Sequence, residues 1–180
     1  MASRVFNRQF PIRPVDDSVF DSAAIVLRTT QDFTASPSAV WSALDGDRAW
    51  TWLPFGCGFE YDEPARRVGM ERGMGTVKAP WRFIWIQRER FWRYEPGSRI
   101  SYTAFSSTWP LLHEWAENYT VIPISDGGTR IEWTVALTPR FVSWLPLKWL
   151  QPPLRVMFTL GFRPGMRRLI ARTADPEAGA

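Results

Sequence analysis

The sequence has very few of the residues that form disulfides and transition-metal sites. Its single cysteine, Cys57, excludes an internal disulfide. Its single histidine, His113, together with that cysteine supplies too few ligands for a zinc site of cysteines and histidines. We therefore expect no bound metal and no other cofactor. We expect Cys57 to be a small buried residue rather than a nucleophile.

Long apolar runs and nucleotide-binding motifs are also absent. No stretch of about 20 apolar residues exists that would span a bilayer. The N-terminal stretch MASRVFNRQFPIRPVDDSVF has no apolar run of signal-peptide length, so we expect a cytoplasmic protein. There is no nucleophile elbow, P-loop or dinucleotide-binding motif, and the glycine-rich residues 69–75 lack the strand–turn–helix context of a phosphate site. We predict that these residues form a mobile loop.

Aromatic residues, by contrast, are abundant. Eleven tryptophans, twelve phenylalanines and four tyrosines make up 15% of the 180 residues. They fill either a core that needs large apolar side chains or the walls of a cavity, because pockets are mainly apolar and aromatic with a few placed polar groups. The length and the 45% hydrophobic content suit a single domain with a sizeable core.

The chain is moderately basic, with a formal net charge of +4. A basic balance is typical of proteins that bind nucleic acid or an anionic membrane surface. The basic residues are scattered, however, except for a cluster near the C-terminus: Arg163, Arg167, Arg168 and Arg172. On a helix these four would form one solvated side, so we predict no nucleic-acid partner.

Turn signals divide the chain into an N-terminal extended arm, one domain and a C-terminal tail, at residues 1–22, 23–173 and 174–180. The domain begins with a partly β-branched segment that predicts a strand over residues 24–34. Proline and glycine turns then separate further strands. These are predicted at residues 57–62, 75–79, 83–94, 99–105, 111–124 and 129–138.

Three helices are predicted. Ser36 is a good N-cap and Pro37 suits the first helical position, so one helix begins there and ends at the following Asp-Gly pair. Asp47 is placed to cap a second short helix that runs through residues 50–53. The third helix, over residues 153–172, should bend at its internal glycine and proline. Its apolar stripe consists of Leu154, Met157, Phe158 and Phe162.

The last two strands form the best-defined hairpin. Asp126-Gly127-Gly128 predicts a three-residue loop, which places Ser125 opposite Thr129. Val121 then faces Trp133, Tyr119 faces Val135 and Glu117 faces Leu137. This register gathers one apolar face, with Glu117 in its middle and His113 near its far end. The face consists of Trp115, Tyr119, Val121, Ile131, Trp133, Val135 and Leu137.

The order of these elements resembles the SRPBCC group, the START-like helix-grip proteins, and in particular its polyketide cyclase/dehydrase-like branch. The likeness rests on the segments ASPSAVWSALDGDRAWTWLP, ERFWRYEPGSRISY and ENYTVIPISDGGTRIEWTVALTP, and on the amphipathic final helix. Together these segments cover roughly residues 24–172. The arm and the aromatic connector at residues 141–150 are not part of the likeness.

The resemblance implies an α+β helix-grip fold. A curved antiparallel sheet of about seven strands would wrap around the long C-terminal helix, with two short helices after the first strand. A cavity for a hydrophobic small molecule would lie between sheet and helix, with residues 69–75 at its mouth. The family includes carriers, cyclases and receptors without a common catalytic residue set, so the fold constrains function weakly.

Glu117 is the first candidate for acid–base chemistry. A carboxylate between Trp115 and Tyr119 on an apolar face is costly to bury unpaired. It must meet a cation such as Arg28 or Arg99, be protonated, or line a wet part of a cavity. A raised pKa would fit it for general acid–base work on a carbonyl substrate.

His113 and Glu89 are the other catalytic candidates. His113 shares a strand face with Glu117 but lies roughly 13 Å from it, which excludes a direct dyad. It is either a catalytic group with a partner on a neighbouring strand or on the helix, or a strand-end histidine satisfied by a carbonyl or by solvent. Both faces of the strand around Glu89 are mixed. The resemblance favours the Trp85–Glu89 face as inward, which would pair two carboxylates.

Three functions follow from these observations. The first is a module that binds a hydrophobic, ring-containing molecule, either a lipid or a polyketide-like compound, and the second is a cyclase or dehydratase that uses Glu117, Glu89 and His113. In both, the predicted lining is Trp85, Tyr102, Trp115, Tyr119, Trp133, Val135, Met157, Phe158 and Phe162.

The third function is contact with a membrane surface or a protein partner. Residues 141–150 combine aromatic and leucine side chains with Lys148 and follow Arg140. Exposed aromatic residues beside cations suit a transient membrane contact. The alternative is that this connector packs over the opening of the sheet.

Overall fold

One antiparallel sheet organises the chain. The computed structural model describes residues 8–51, 56–76, 85–142 and 147–174. The strands follow the order β2-β8-β7-β6-β5-β4-β3, and the short β1 pairs with β6. They are β1 (Phe10–Pro11), β2 (Ile25–Phe33), β3 (Gly56–Tyr61), β4 (Glu71–Thr76), β5 (Trp85–Glu95), β6 (Arg99–Ser107), β7 (Leu112–Pro123) and β8 (Thr129–Pro139). The helices are α1 (Val19–Ser22), α2 (Pro37–Asp45), a 3₁₀ helix (Leu147–Leu150) and α3 (Gln151–Ala174).

This architecture confirms the α+β prediction of one antiparallel sheet with a long C-terminal helix. Helix α2 begins as predicted, because the Ser36 hydroxyl accepts a hydrogen bond from the Ala39 amide at 3.3 Å. The second short helix, predicted through residues 50–53, is not found in the part of it that the structure describes. Residues 47–51 form hydrogen-bonded turns instead, and residues 52–55 lie outside the described residues.

The segment predicted as a mobile loop is a strand over most of its length. Strand β4 begins at Glu71 and pairs on both sides, so that Gly73 lies opposite Glu60 on β3 and opposite Arg88 on β5. Two complete ladders outweigh the low strand preference of its glycines. Of the strand predicted at residues 75–79, the last three residues lie outside the described residues, as do the first two of the strand predicted at 83–94.

The β7–β8 hairpin has the predicted faces but another register. Tyr119 lies opposite Trp133, and Glu117 lies opposite Val135. The predicted register is therefore wrong by two residues, because the loop spans five residues, 124–128, and closes with a 3.0 Å hydrogen bond from the Ile124 amide to the Gly128 carbonyl. A shift of two residues preserves the side-chain alternation, so the apolar face around Glu117 is the one predicted.

Helix α3 packs against the face of the sheet that carries Glu117. Its inward residues follow one helical stripe: Leu154, Phe158, Phe162, Met166, Leu169 and Ile170. Met157, predicted to line a cavity, is 58% exposed, because it lies about 100° around the helix from Phe158. Its assignment to the inward stripe is therefore wrong.

The N-terminal arm fills a gap in the sheet. The β6–β7 ladder ends at the pair Thr103–Ala116. Beyond this point the arm lies between the two strands, with the Ile12 amide bonded to the Phe105 carbonyl and the Arg13 amide bonded to the His113 carbonyl. On the side of the sheet away from α3, helix α1 and its neighbours form a small second core of Val19, Ala23, Val26, Ala116 and Ala136.

We predict that Gly128→Ala destabilises the protein by about 1 to 3 kcal/mol. A Cβ atom at this position would lie 2.5 Å from the Phe33 carbonyl oxygen, so the hairpin loop or β2 would have to move. Chemical denaturation checks this. Gly73→Ala is the matched control, because its Cβ would have only ordinary contacts at 3.9 Å and beyond. Equal stabilities of the two variants would contradict the prediction.

Candidate functional site

Glu117 lies at the centre of the interior between sheet and helix and is only 2% exposed. The indole N–H of Trp115 donates to its Oε1 at 3.1 Å. The Tyr119 hydroxyl and the Trp133 indole N–H both donate to its Oε2 at 2.9 Å. Aromatic side chains from two adjacent strands therefore satisfy this carboxyl group, in place of a cation.

The arginines considered as partners of Glu117 lie elsewhere. Arg28 is 3.6 Å from the Asp21 carboxylate and donates to the Phe20 carbonyl. Arg99 donates to the Asn118 side chain at 2.7 Å. The ion-pair alternative for Glu117 with either arginine is therefore wrong.

Burial and, to a smaller extent, the negative charge of Glu89 together raise the pKa of Glu117 to about 7. The hydrogen bonds from Tyr119 and Trp133, and the nearby hydroxyl of Tyr102, oppose the rise without cancelling it. A carboxyl group with this pKa is partly protonated at neutral pH. It can both donate and accept a proton there.

Glu89 is inward and fully buried, as the resemblance suggested, and it forms an ion pair with Arg72. The Arg72 Nε donates to Glu89 at 2.7 Å, and the Gln87 amide donates to its other oxygen at 2.9 Å. Burial raises the pKa of Glu89, while the charge and hydrogen bond of Arg72 act in the opposite direction. Because an arginine keeps its proton in proteins, the pair is stable with Glu89 ionised.

Aromatic rings enclose Arg72. Its guanidinium carbon lies 3.4 Å from the centroid of the Phe59 ring and 4.3 Å from that of Tyr102. The Tyr61 hydroxyl accepts a hydrogen bond from it at 3.1 Å. Burial acts to lower the pKa of Arg72, but Glu89 and these tyrosines more than offset it, so its pKa is raised. Cation–π contacts and one carboxylate hold the charge away from water.

Tyr102 connects the two carboxyl groups. It lies directly opposite Glu117 in the β6–β7 register and opposite Phe91 on β5. Its hydroxyl is buried and makes no hydrogen bond of standard geometry, although burial and the nearby Glu117 and Glu89 raise its pKa well above the usual value. The charge of Glu89 acts on Glu117 and raises its pKa, while Arg72 is the direct partner of Glu89.

Side chains fill most of the space between sheet and helix. The Trp133 ring lies 4.6 Å from the Phe162 ring and 5.5 Å from the Phe158 ring, measured between centroids, and it stacks on Tyr119 at 5.6 Å. The described residues leave a cavity of about 10 Å³ beside Tyr102 and Arg72, room for about one water molecule. The expectation of an open aromatic chamber is therefore wrong for this part of the chain.

The structure brings most of the predicted lining together. One core cluster contains Tyr102, Tyr119, Trp133, Val135 and Phe162, with Trp115 and Phe158 packed against it. Trp85 packs instead against a separate small cluster of Ile12, Ala104 and Leu112. His113 is exposed, and its carbonyl binds the arm, so the structure does not bring it together with the two buried carboxyls.

Two residues of the site, Arg72 and Trp50, were not predicted from the sequence. Arg72 lies in the glycine-rich segment, where no alternation marks an inward position. Trp50 follows the helix α2 and lies against Trp133 with ring centroids 5.1 Å apart, in a backbone conformation with φ of 68°. A bulky residue rarely adopts a positive φ, and nothing in the sequence indicates it.

Over residues 8–51, 56–76, 85–142 and 147–174, histidine, cysteine and acidic side chains form no group of three or more with metal-binding geometry. In the same part of the chain, no helix combines the length and the apolar character that crossing a membrane requires.

We predict that Glu117 makes the stability of the protein fall as the pH rises from about 5 to about 8.5. The pKa of Glu117 is about 7 in the folded chain, against an ordinary value of 4.5 for a glutamate in water. The folded state therefore holds the proton more tightly than the unfolded state. This contributes about 3 kcal/mol to the free energy of unfolding below the unfolded pKa of 4.5, and the contribution is lost as the pH rises through the folded pKa of about 7.

Chemical denaturation across this pH range tests the prediction with Glu117→Gln, which keeps the shape and cannot titrate. The difference in unfolding free energy between wild type and Glu117→Gln should change by about 3 kcal/mol over the range. Glu132→Gln, at an exposed position of β8, is the control and should run parallel to wild type. Parallel curves for Glu117→Gln as well would contradict the assigned pKa.

Comparisons with solved structures show similar folds at low sequence identity. The crystal structure of Ara h 8.0201 has a TM-score of 0.62 and 14% identity, over 83% of this chain and 97% of that one. The Zhui aromatase/cyclase from Streptomyces sp. R1128 has a TM-score of 0.57 and 14% identity, over 86% and 98%. Norcoclaurine synthase from Thalictrum flavum, in complex with dopamine and hydroxybenzaldehyde, has a TM-score of 0.56 and 14% identity, over 82% and 86%.

A search of curated proteins finds no match. The family model for polyketide cyclase / dehydrase and lipid transport matches residues 24–174. The match begins at the start of the β2 region and ends with α3, so it covers the sheet, α2 and the buried site, and it omits the arm. These findings confirm the helix-grip fold and the SRPBCC resemblance. The chain belongs to the polyketide cyclase / dehydrase and lipid transport family of the SRPBCC superfamily.

Proposed function

We propose that the protein binds a hydrophobic, ring-containing small molecule, of the lipid or polyketide type, between the sheet and α3. The observation that carries this proposal is the polar centre of the interior: Glu117 without a cation, beside the buried hydroxyl of Tyr102. Buried polar groups are costly in an apolar core unless they are used or fully bonded. Placed polar groups in an aromatic shell are typical of ligand sites.

The polar centre suits a carbonyl or hydroxyl group on the ligand. Protonated Glu117 would donate to a carbonyl oxygen, and the Tyr102 hydroxyl would offer a second donor. Tyr102 and Arg72 line the small cavity and Glu117 does not, so an oxygen held there would meet the Tyr102 hydroxyl first. The rings of Tyr119 and Trp133 would then contact the apolar body of the ligand, because flat aromatic side chains stack on rings.

Entry of a ligand requires Phe158 to move away from Trp133. Phe158 is half-buried and lies in the N-terminal half of α3. This half is joined to the rest of the helix through Gly161 and Pro164, and the proline removes one backbone hydrogen bond there. Residues 151–160 of α3 are therefore the part of the helix that can swing outward at the lowest cost.

We predict that a panel of fatty acids, sterols and aromatic polyketides contains compounds that raise the melting temperature of the protein and are seen bound in native mass spectra. Phe158→Ala should bind the same compounds about tenfold more tightly, because the ligand no longer has to displace the ring. The variant itself should be less stable, by about 2 kcal/mol.

Val19→Ala is the matched control for this experiment. It removes buried apolar volume from the small core on the other side of the sheet, so it lowers stability without making room at Trp133. Absence of binding to wild type and to Phe158→Ala across the panel would contradict the proposal. Tighter binding by both variants would show that loss of stability, rather than new space, is responsible.

A second function, aldol-type cyclisation followed by dehydration, is favoured by the pKa of about 7 of Glu117. In such a reaction the carboxylate would take a proton from a carbon next to a carbonyl, and the resulting enolate would attack a second carbonyl to form a carbon–carbon bond. The carboxyl group would return the proton to the new alkoxide. That hydroxyl would then leave as water together with a hydrogen from the adjacent carbon, which forms a carbon–carbon double bond and completes the reaction.

We predict that Glu117→Gln lowers the turnover of a poly-β-ketone substrate at least about 100-fold, because the amide cannot exchange the proton. Ligand affinity should change far less, since the amide oxygen can still accept from Tyr119 and Trp133 and only the bond from Trp115 is lost. Turnover is followed by product chromatography, with Glu132→Gln as the control. Turnover unchanged in Glu117→Gln would exclude the catalytic role, while the binding proposal would stand on the ligand panel alone.

A further inference from the structure

The solvent side of α3 is apolar in its first half. Val156 is 57% exposed and Leu160 is 70% exposed, and Trp149, just before the helix, is 67% exposed. With Met157 these residues define the outer face of α3, which points away from the inward stripe of Leu154, Phe158 and Phe162. Large exposed side chains grouped on one face mark an interaction site more often than chance exposure.

The second half of the same side is basic. Helix α3 contains five arginines, Arg155, Arg163, Arg167, Arg168 and Arg172, and no aspartate or glutamate. Among the described residues, none of these arginines lies within 4.0 Å of a carboxylate oxygen. The helix thus presents apolar side chains followed directly by unneutralised positive charge.

We propose that the outer face of α3 docks onto an anionic lipid surface. The helix would lie in the interfacial plane, with Val156, Met157, Leu160 and Trp149 inserted among the acyl chains and the arginines at the level of the headgroups. Each cation near such a surface raises the affinity about fivefold. This proposal is independent of the ligand site.

The combination of side chains favours lipid over the other anionic partners. A nucleic acid would be held by the arginines alone, and its phosphate backbone offers no apolar surface for Val156, Met157 and Leu160. A second copy of the chain would cover the apolar residues but would bring two rows of arginines together. A lipid surface offers acyl chains to the apolar first half of α3 and anionic headgroups to its basic second half.

Only some residues of the connector at 141–150 are exposed and able to contact a lipid surface. Within it, Phe141, Val142 and Trp149 are exposed, but Leu147 is buried and Leu150 is half-buried against the core. Residues 143–146 lie outside the described residues. Membrane contact is therefore assigned to α3 and Trp149, rather than to the whole connector.

The test is co-sedimentation of the full chain with phosphatidylcholine vesicles and with vesicles that also contain phosphatidylglycerol. We expect binding to the anionic vesicles alone, weaker at about 1 M than at about 0.1 M salt. Leu160→Asp should weaken binding at least about tenfold. Arg167→Gln with Arg168→Gln should weaken it about thirty-fold.

Matched controls use exposed residues away from this face. Leu111→Asp introduces the same charge at a turn before β7, and Arg8→Gln with Arg67→Gln removes the same net charge. Both controls should bind like wild type. Equal losses in the controls, equal binding to neutral vesicles, or unchanged binding of Leu160→Asp would overturn the proposal.

Two further experiments test the competing partners, a nucleic acid and a second copy of the chain. Binding to a DNA duplex that competes with vesicles and is unaffected by Leu160→Asp would overturn the proposal in favour of nucleic acid. A dimer in light scattering that Leu160→Asp dissociates, with no vesicle binding, would overturn it in favour of self-association. Because the substitutions lie at exposed positions, unchanged melting temperatures would show that any loss of binding is not a loss of fold.

Discussion

The interior of this protein is organised by the need to bury a carboxyl group in the middle of a β-sheet. Glu117 has aromatic neighbours two residues away on either side of its own strand, Trp115 and Tyr119, and Trp133 lies diagonally across on β8, opposite Tyr119. Their polar hydrogens all point at the carboxyl, so the rings must hold fixed orientations. Those fixed orientations in turn set the surface on which Phe158 and Phe162 of α3 pack.

The other half of the sheet also buries an ionisable side chain, but an ion pair rather than aromatic hydrogen bonds compensates it. There the buried charge of Arg72 is compensated by Glu89 on the adjacent strand and by the faces of surrounding rings. Tyr102 lies between the two arrangements and connects them electrostatically. The interior therefore contains one charge-neutral ion pair and one acid whose protonation is open to change, a few side chains apart in a largely apolar volume.

The sequence predicted the faces of the strands more securely than their pairing. Alternation identified the side of the β7–β8 hairpin that carries Glu117, and this survived an error of two residues because the period of a strand is two. The same rule failed at His113, since the β7–β8 pairing is irregular between Leu112 and Glu114. A one-residue irregularity redirects every side chain before it, and no residue type there signals one.

Tertiary features escaped prediction for a different reason. Arg72 sits on a short, glycine-rich strand whose place in the sheet depends on two neighbouring ladders rather than on its own composition. The near absence of free volume between Trp133 and α3 depends on how closely the helix approaches the sheet. Aromatic abundance is compatible with a filled core and with an open pocket, and only the distances between rings decide between them.

The arm has a consequence for how the domain behaves when it is isolated. The family match begins at residue 24, yet Ile12 and Arg13 supply the backbone hydrogen bonds that the ends of β6 and β7 cannot supply to each other. A fragment cut to the matched boundaries would carry two open strand edges beside a small apolar cluster, a template for strand addition by neighbouring molecules. Outside the family match, the first residues thus act as a built-in safeguard against aggregation.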